Sequence, residues 1–102
     1  MYEHAQAAFS SFAWDENKRQ KNLAKHGIDF PDAAQALKRP RLEHRSDKNG
    51  EVRIQAVCPS LSPEYITVVY TMRGDICRII SARAAHINER RRYQDVLGRR
   101  SD

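Results

Sequence analysis

Arginine suits phosphate because its planar guanidinium donates two parallel hydrogen bonds and keeps its charge when partly buried. The stretch RIISARAAHINERRRY, residues 78–93, carries Arg78, Arg83 and the run Arg90, Arg91 and Arg92 around a short apolar segment. His86, Glu89 and Tyr93 stand among them, and Arg73 precedes them by a few positions. Cutting RNA without a metal needs few parts. A base draws the proton from the 2′-hydroxyl, cations stabilise the crowded phosphate, and an acid protonates the leaving oxygen. Glu51, His44, His86, Glu89 and Tyr93 are the candidates for base and acid. Each has a plainer alternative. Glu51 and Arg53 are two positions apart, so on a strand they share a face and can neutralise each other. Glu89 beside three arginines can be a solvated helix face whose ion pairs contribute little. Tyr65 and Trp14 suit core or edge packing, whereas Tyr93 suits either packing or stacking on a base.

Other chemistries are poorly served. His4, His26, His44 and His86 are scattered without paired spacing, and Cys58 and Cys77 lie in apolar runs, so no metal site or disulfide framework is expected. Both thiols are expected to be reduced core side chains, and no cofactor is implied. There is no glycine-rich phosphate loop and no nucleophile elbow. Lys and Arg number 18 against 13 acids, a net charge of +5 that favours a polyanionic partner. No apolar run approaches the ~20 residues of a membrane span. The start, MYEHAQAAFSS, lacks a basic n-region and a long apolar core, so neither a signal peptide nor a membrane partner is expected and the cytoplasm is the expected location.

The elements that must position these side chains are legible in outline. At 102 residues, with 40% hydrophobic, the chain can build one domain around one modest core. Residues 1–11 read as an N-terminal extension, 12–97 as the domain and 98–102 as a tail. Phe12-Ala13-Trp14 suggests a short first strand. Asp15 offers a cap for a basic helix ending at Gly27, with a thin apolar stripe at Leu23 and Ala24. A second helix follows Asp29, with Phe30, Ala33, Ala34 and Leu37 at helical spacing and Pro40 ending it. RLEHRSDKNG reads as a loop, with room for a short edge strand before its Asn-Gly turn. Strands are predicted over residues 51–58, 65–73 and 76–83, the last two joined by a hairpin at Gly74-Asp75. A final helix over 86–97 would show Ile87, Arg90, Arg91 and Gln94 along one side. The fold class is α+β, a small antiparallel sheet with two N-terminal helices and one C-terminal helix.

Strand parity constrains any single pocket. In a regular strand Arg78, Ile80 and Ala82 share one face, and Cys77, Ile79, Ser81 and Arg83 the other. Either one arginine buttresses the structure, or a bulge near Ser81 re-aims the strand.

Six pieces in order resemble one family: FAWDENK at 12–18, NLAKHGIDF at 22–30, GEVR at 50–53, VVYTMR at 68–73, RIISAR at 78–83 and ERRRY at 89–93. The chain resembles the BrnT-type toxins of bacterial type II toxin–antitoxin systems, from about Phe12 to Val96. The resemblance implies a RelE-like toxin fold and a metal-independent endoribonuclease that stops growth by cutting RNA. It also implies a cognate DNA-binding antitoxin, through which alone the toxin would meet DNA. Carried over by position, it implies Arg73, Arg78 and Arg83 at the phosphate and Glu51 and Tyr93 as further catalytic candidates. Arg53, Lys25, His26 and Arg90 are implied RNA-binding residues, and Ser81 and Glu89 also match. The family commonly has glycine where Cys58 stands, and a Gly-Arg pair where this chain reads PSLSPEY. One basic contact is absent there, which implies weaker RNA binding or slower cleavage. The reading from another class is a catalytically silent module that binds RNA or the antitoxin.

Overall fold

Aspartates start both N-terminal helices by accepting backbone N–H groups that a helix leaves unpaired. In the computed structural model, which describes residues 2–5 and 9–98, Asp15 accepts the Lys18 N–H at 3.0 Å and opens α1 (Glu16–His26). Gly27, at φ +73°, ends that helix in the left-handed conformation and donates its N–H to the Leu23 carbonyl. Asp29 accepts the Phe30 N–H and opens α2 (Phe30–Ala36). The third helix, α3 (Ile87–Leu97), starts at His86, whose N–H is held by the Glu89 carboxylate at 2.8 Å.

Six strands form one sheet: β1 (Glu3–Ala5), β2 (Ser11–Trp14), β3 (Arg41–Arg45), β4 (Ile54–Pro59), β5 (Tyr65–Arg73) and β6 (Ile76–Ala84). Their order is β1-β3-β4-β5-β6-β2. Four pairings are antiparallel, but β2 lies parallel to β6. The α+β class with three helices holds, and the sheet is antiparallel except where β2 joins β6. The chain reaches β6 from β2 through two helices, three strands and a hairpin, so nothing forces an antiparallel return.

Other differences have local causes. RLEHRSDKNG, which reads as a loop with room for a short edge strand, holds a strand at Arg41–Arg45, but inside the sheet with a partner on each side. Leu42 is fully buried in it, while the charged residues around it mask the alternation. Its outer partner β1 comes from the extension, where EHA gives no strand pattern. α1 docks through Asn22, its buried residue, and Leu23 is exposed. α3 buries Glu89 and Tyr93, four residues apart, and leaves Ile87 exposed.

The sheet is covered on both faces. Phe30, Leu37, Ile66, Val68 and Ile79 fill the layer under α1 and α2, together with the free thiols of Cys58 and Cys77. Burial pushes both thiols well above the usual cysteine range, which keeps them protonated. A buried ion pair borders this layer. Arg41 donates to Glu43 at 2.7 Å and to the Leu37 carbonyl at 3.0 Å, Tyr70 donates its hydroxyl to Glu43, and Phe9 lies under the guanidinium. On the other face Leu42, Val57, Tyr65 and Tyr93 pack beneath α3. That helix covers only the end of the sheet near Tyr65.

Candidate functional site

The arginine parity is decided by a bulge. Along β5 and β6, Val69 pairs with Ser81 and Tyr70 with Ile79, which leaves Ile80 without an opposite residue. The extra residue shifts the alternation. Cys77, Ile79 and Ala82 are buried toward α1 and α2, whereas Arg78, Ser81 and Arg83 share the face on which α3 packs. Arg78 stands opposite Thr71, and Arg83 opposite Thr67. The two guanidiniums still attach roughly 13–16 Å apart along the strand. One phosphate cannot engage both without long reaches, and their surroundings differ.

Arg83 lies beside α3. Its two terminal nitrogens grip the Glu89 carboxylate at 2.8 and 3.1 Å, a bidentate pair with side chains 26% and 11% exposed. Glu89 also accepts from Thr67 Oγ1 at 3.0 Å and from the His86 N–H. Burial alone would raise this carboxyl, but the hydrogen bonds from Arg83 and the His86 N–H outweigh it and hold the pKa at about 2. The cluster fastens α3 to the sheet.

Arg78 lies on the half that α3 leaves open. Among the described residues it has no ion pair and no side-chain hydrogen bond. Arg73 is its diagonal neighbour across the hairpin, a geometry that sets β-carbons about 7–8 Å apart. Glu51 sits between two cations, accepting Arg53 Nε at 2.9 Å and Arg73 Nη2 at 3.5 Å. The hydrogen bond from Arg53 is the main reason its carboxyl lies below the usual range. Thr71 Oγ1 donates to the Val52 carbonyl at 2.7 Å and pins this turn to β5. Beside the cluster runs a groove of about 260 Å³, with Ser46, Lys48, Arg53, Gln55 and Asp47, which Arg45 holds at 2.9 Å, on its walls and Val69 and Ile80 apolar within it. His44 Nε2 lies 2.9 Å from Gln55 Oε1, and Gln55 donates to Ser46 Oγ at 3.2 Å, which fixes the amide that lines the groove.

The structure therefore brings together Glu51, Arg53, Arg73 and Arg78, and sets the other named residues elsewhere. Tyr93 is buried, donates its hydroxyl to the Pro40 carbonyl at 3.1 Å and packs on Tyr65. Arg90 lies over the Tyr65 ring and reaches Glu64 at 3.4 Å. Lys25 and His26 line a second groove beside α1, on the far side of the bulge. Gln55, Ser46 and the bulge residue Ile80 escaped the sequence reading. Only the parity clash in RIISAR pointed toward them. The departure at PSLSPEY lies at the Tyr65 end of β5, about 25 Å along the strand from Arg73.

A sequence model described as "Ribonuclease toxin, BrnT, of type II toxin-antitoxin system" matches residues 14–89. The chain belongs to the BrnT toxin family. The crystal structure of the Brucella abortus ribonuclease toxin BrnT superposes with a TM-score of 0.57 at 30% sequence identity, covering 74% of this chain and 96% of that one. No curated protein matches the chain. The BrnT match begins at Trp14, so it includes every residue of the Glu51–Arg78 cluster and leaves out β1 and nearly all of β2.

Proposed function

We propose that this BrnT-family chain is an endoribonuclease toxin whose cleavage site is the open half of the sheet around Glu51, Arg53, Arg73 and Arg78. The observation that carries this reading is Arg78, a guanidinium without a partner among the described residues, on a face where acids already hold the neighbouring cations. A phosphate brought to Arg78 and Arg73 gains two forks of donors and draws Arg73 away from its long 3.5 Å contact with Glu51. Glu51, ionised at neutral pH, then accepts the proton of the 2′-hydroxyl as that oxygen attacks phosphorus. The 5′-oxygen leaves on the opposite side, protonated from the solvent that the open face admits, and a 2′,3′-cyclic phosphate remains. Arginine provides the charge stabilisation in this scheme, so no metal is required. Arg83 and Tyr93 act by holding α3 in place. A cognate antitoxin with its own DNA-binding domain would neutralise the toxin and link it to DNA.

The test is to incubate purified protein with a defined RNA in EDTA and map the product ends. Cyclic phosphate ends, lost in Arg78→Ala, are expected; 3′-hydroxyl ends or a requirement for added metal would sink the scheme. A second reading, a silent RNA- or antitoxin-binding module, draws on the neutralisation of Arg53, Arg73, Arg83 and Arg90 by Glu51, Glu89 and Glu64. It expects RNA binding that falls steeply with salt and yields no products.

A further inference from the structure

The β6 bulge faces two grooves. Ile80 and Ser81 line the one on the open sheet face, and the same two residues line the one beside α1, about 240 Å³ in volume. The α1 groove carries Lys18, Lys21, Lys25 and His26 and no acid. Positions 18, 21 and 25 follow the three- and four-residue spacing of one helix face, so the ammonium groups form a row about 10 Å long. Among the described residues none of the three lysines has an ion-pair partner. The acids nearest in sequence are engaged elsewhere: Glu16 and Asp29 by Arg19, at 2.6 and 2.9 Å, and Asp15 by the Lys18 N–H that it caps, at 3.0 Å. A row of lysines without ion-pair partners among the described residues thus continues from the groove in which Arg53 and Lys48 stand beside Asp47.

We propose that the bound RNA crosses the bulge at Ile80 and Ser81 and continues along α1, where Lys18, Lys21, Lys25 and His26 hold the phosphates flanking the cut, and that the substrate is therefore single-stranded. This rests on the RNA site proposed above. The sheet groove, at about 260 Å³, falls below the ~300–1,000 Å³ of sites that enclose a drug-sized ligand, so it takes one nucleotide unit. Val69 and Ile80 give a base an apolar seat, and Gln55, Ser46 and Ser81 offer hydrogen bonds to its edge. A duplex keeps its bases stacked inside and has none to offer.

Binding of a fluorescent 2′-O-methyl 12-mer, which lacks the attacking hydroxyl, separates this path from catalysis. Each lysine–phosphate contact to a single strand adds roughly 0.7 to the slope of log affinity against log salt. Lys18→Gln/Lys21→Gln is expected to flatten the slope by roughly 1.4 and weaken binding several-fold at low salt, with an unchanged melting temperature. A 12-base-pair duplex is expected to bind at least tenfold more weakly than the single strand. An unchanged slope and affinity in the double variant would overturn the path and leave the lysines for another partner, such as an acidic protein segment. Equal affinity for the duplex would overturn the single-strand assignment. Failure of the ribonuclease reading is a separate result: wild-type protein leaves unmodified RNA intact while the double substitution still weakens binding of the methylated strand.

Discussion

Arg78 and Arg83 share a strand, a face and a charge, and their partners give them different roles. Arg78 has no partner among the described residues, so Arg78→Ala should move stability by less than about 0.5 kcal/mol. If it holds the reacting phosphate, the same change should lower cleavage roughly 10²–10³-fold. Arg83→Ala removes two bonds from a mostly buried carboxylate and should destabilise the fold by about 1–3 kcal/mol. Urea unfolding beside a cleavage assay reads both; a stability loss in Arg78→Ala as large as in Arg83→Ala would reverse the roles. Glu89 adds a pH signature. Its folded pKa of about 2 lies below the ordinary 4.5, so the stabilisation is fully present above about pH 4.5 and is lost as pH falls toward 2. The shift corresponds to about 3 kcal/mol. Urea midpoints across that window should drop in the wild type and change much less in Glu89→Gln. A parallel drop in both would show that other carboxylates carry the acid limb.

At the scale of elements, Asn22 joins α1 to β6. Its amide donates to the Ala82 carbonyl at 2.9 Å and to the Ile28 carbonyl at 3.0 Å, and accepts the Ala82 N–H at 3.0 Å. It supplies the backbone partner that a neighbouring strand would supply where β2 has ended. Asn22→Ala leaves both Ala82 groups unpaired and should cost about 2–4 kcal/mol. Asn22→Asp keeps the acceptor but aims a carboxylate at two carbonyls, so it should not rescue. Hydrogen exchange at the Ala82 amide, faster in both variants, checks the mechanism. Elements with strong local signals were legible: Asp15 and Gly27 bound α1, and the β-branched run of residues 65–73 gives β5 its full length. The sheet's outer strands were not, because their pairing depends on distant residues. Leu42 is the one buried apolar residue of β3, and EHA becomes a strand only against it. Of the candidate site, residue types could be named, with Arg73, Arg78, Glu51 and Arg53 among a longer set taken from motifs. Their grouping could not, since one extra residue at Ile80 decides which face Ser81 and Arg83 occupy.

For the whole molecule, the segment before Trp14 does more than extend the chain. It gives β1 to the β3 edge and nearly all of β2 to the β6 edge, so both ends of the sheet are closed by residues ahead of the family match. Between them Phe9 packs on Tyr70, Phe12 and the Arg41 guanidinium, and Tyr2 lies against His44 and under Arg92. An unpaired edge strand is a template for pairing with another chain. A chain starting at Phe9 keeps β2, Phe9 and every residue of the Glu51–Arg78 cluster, but bares the outer edge of β3. It should fold, with unchanged far-ultraviolet circular dichroism in dilute solution, and lose about 1–3 kcal/mol with the burial of Tyr2 and the β1 pairing. It should also associate with rising concentration, seen by light scattering. RNA cleavage should stay within a few-fold, since the truncated chain keeps every residue of the cluster. A truncated chain that stays monomeric at high concentration would mean that β1 does not shield the edge, and a loss of cleavage would place Tyr2 and His44 closer to the reaction than the Gln55 contact alone suggests.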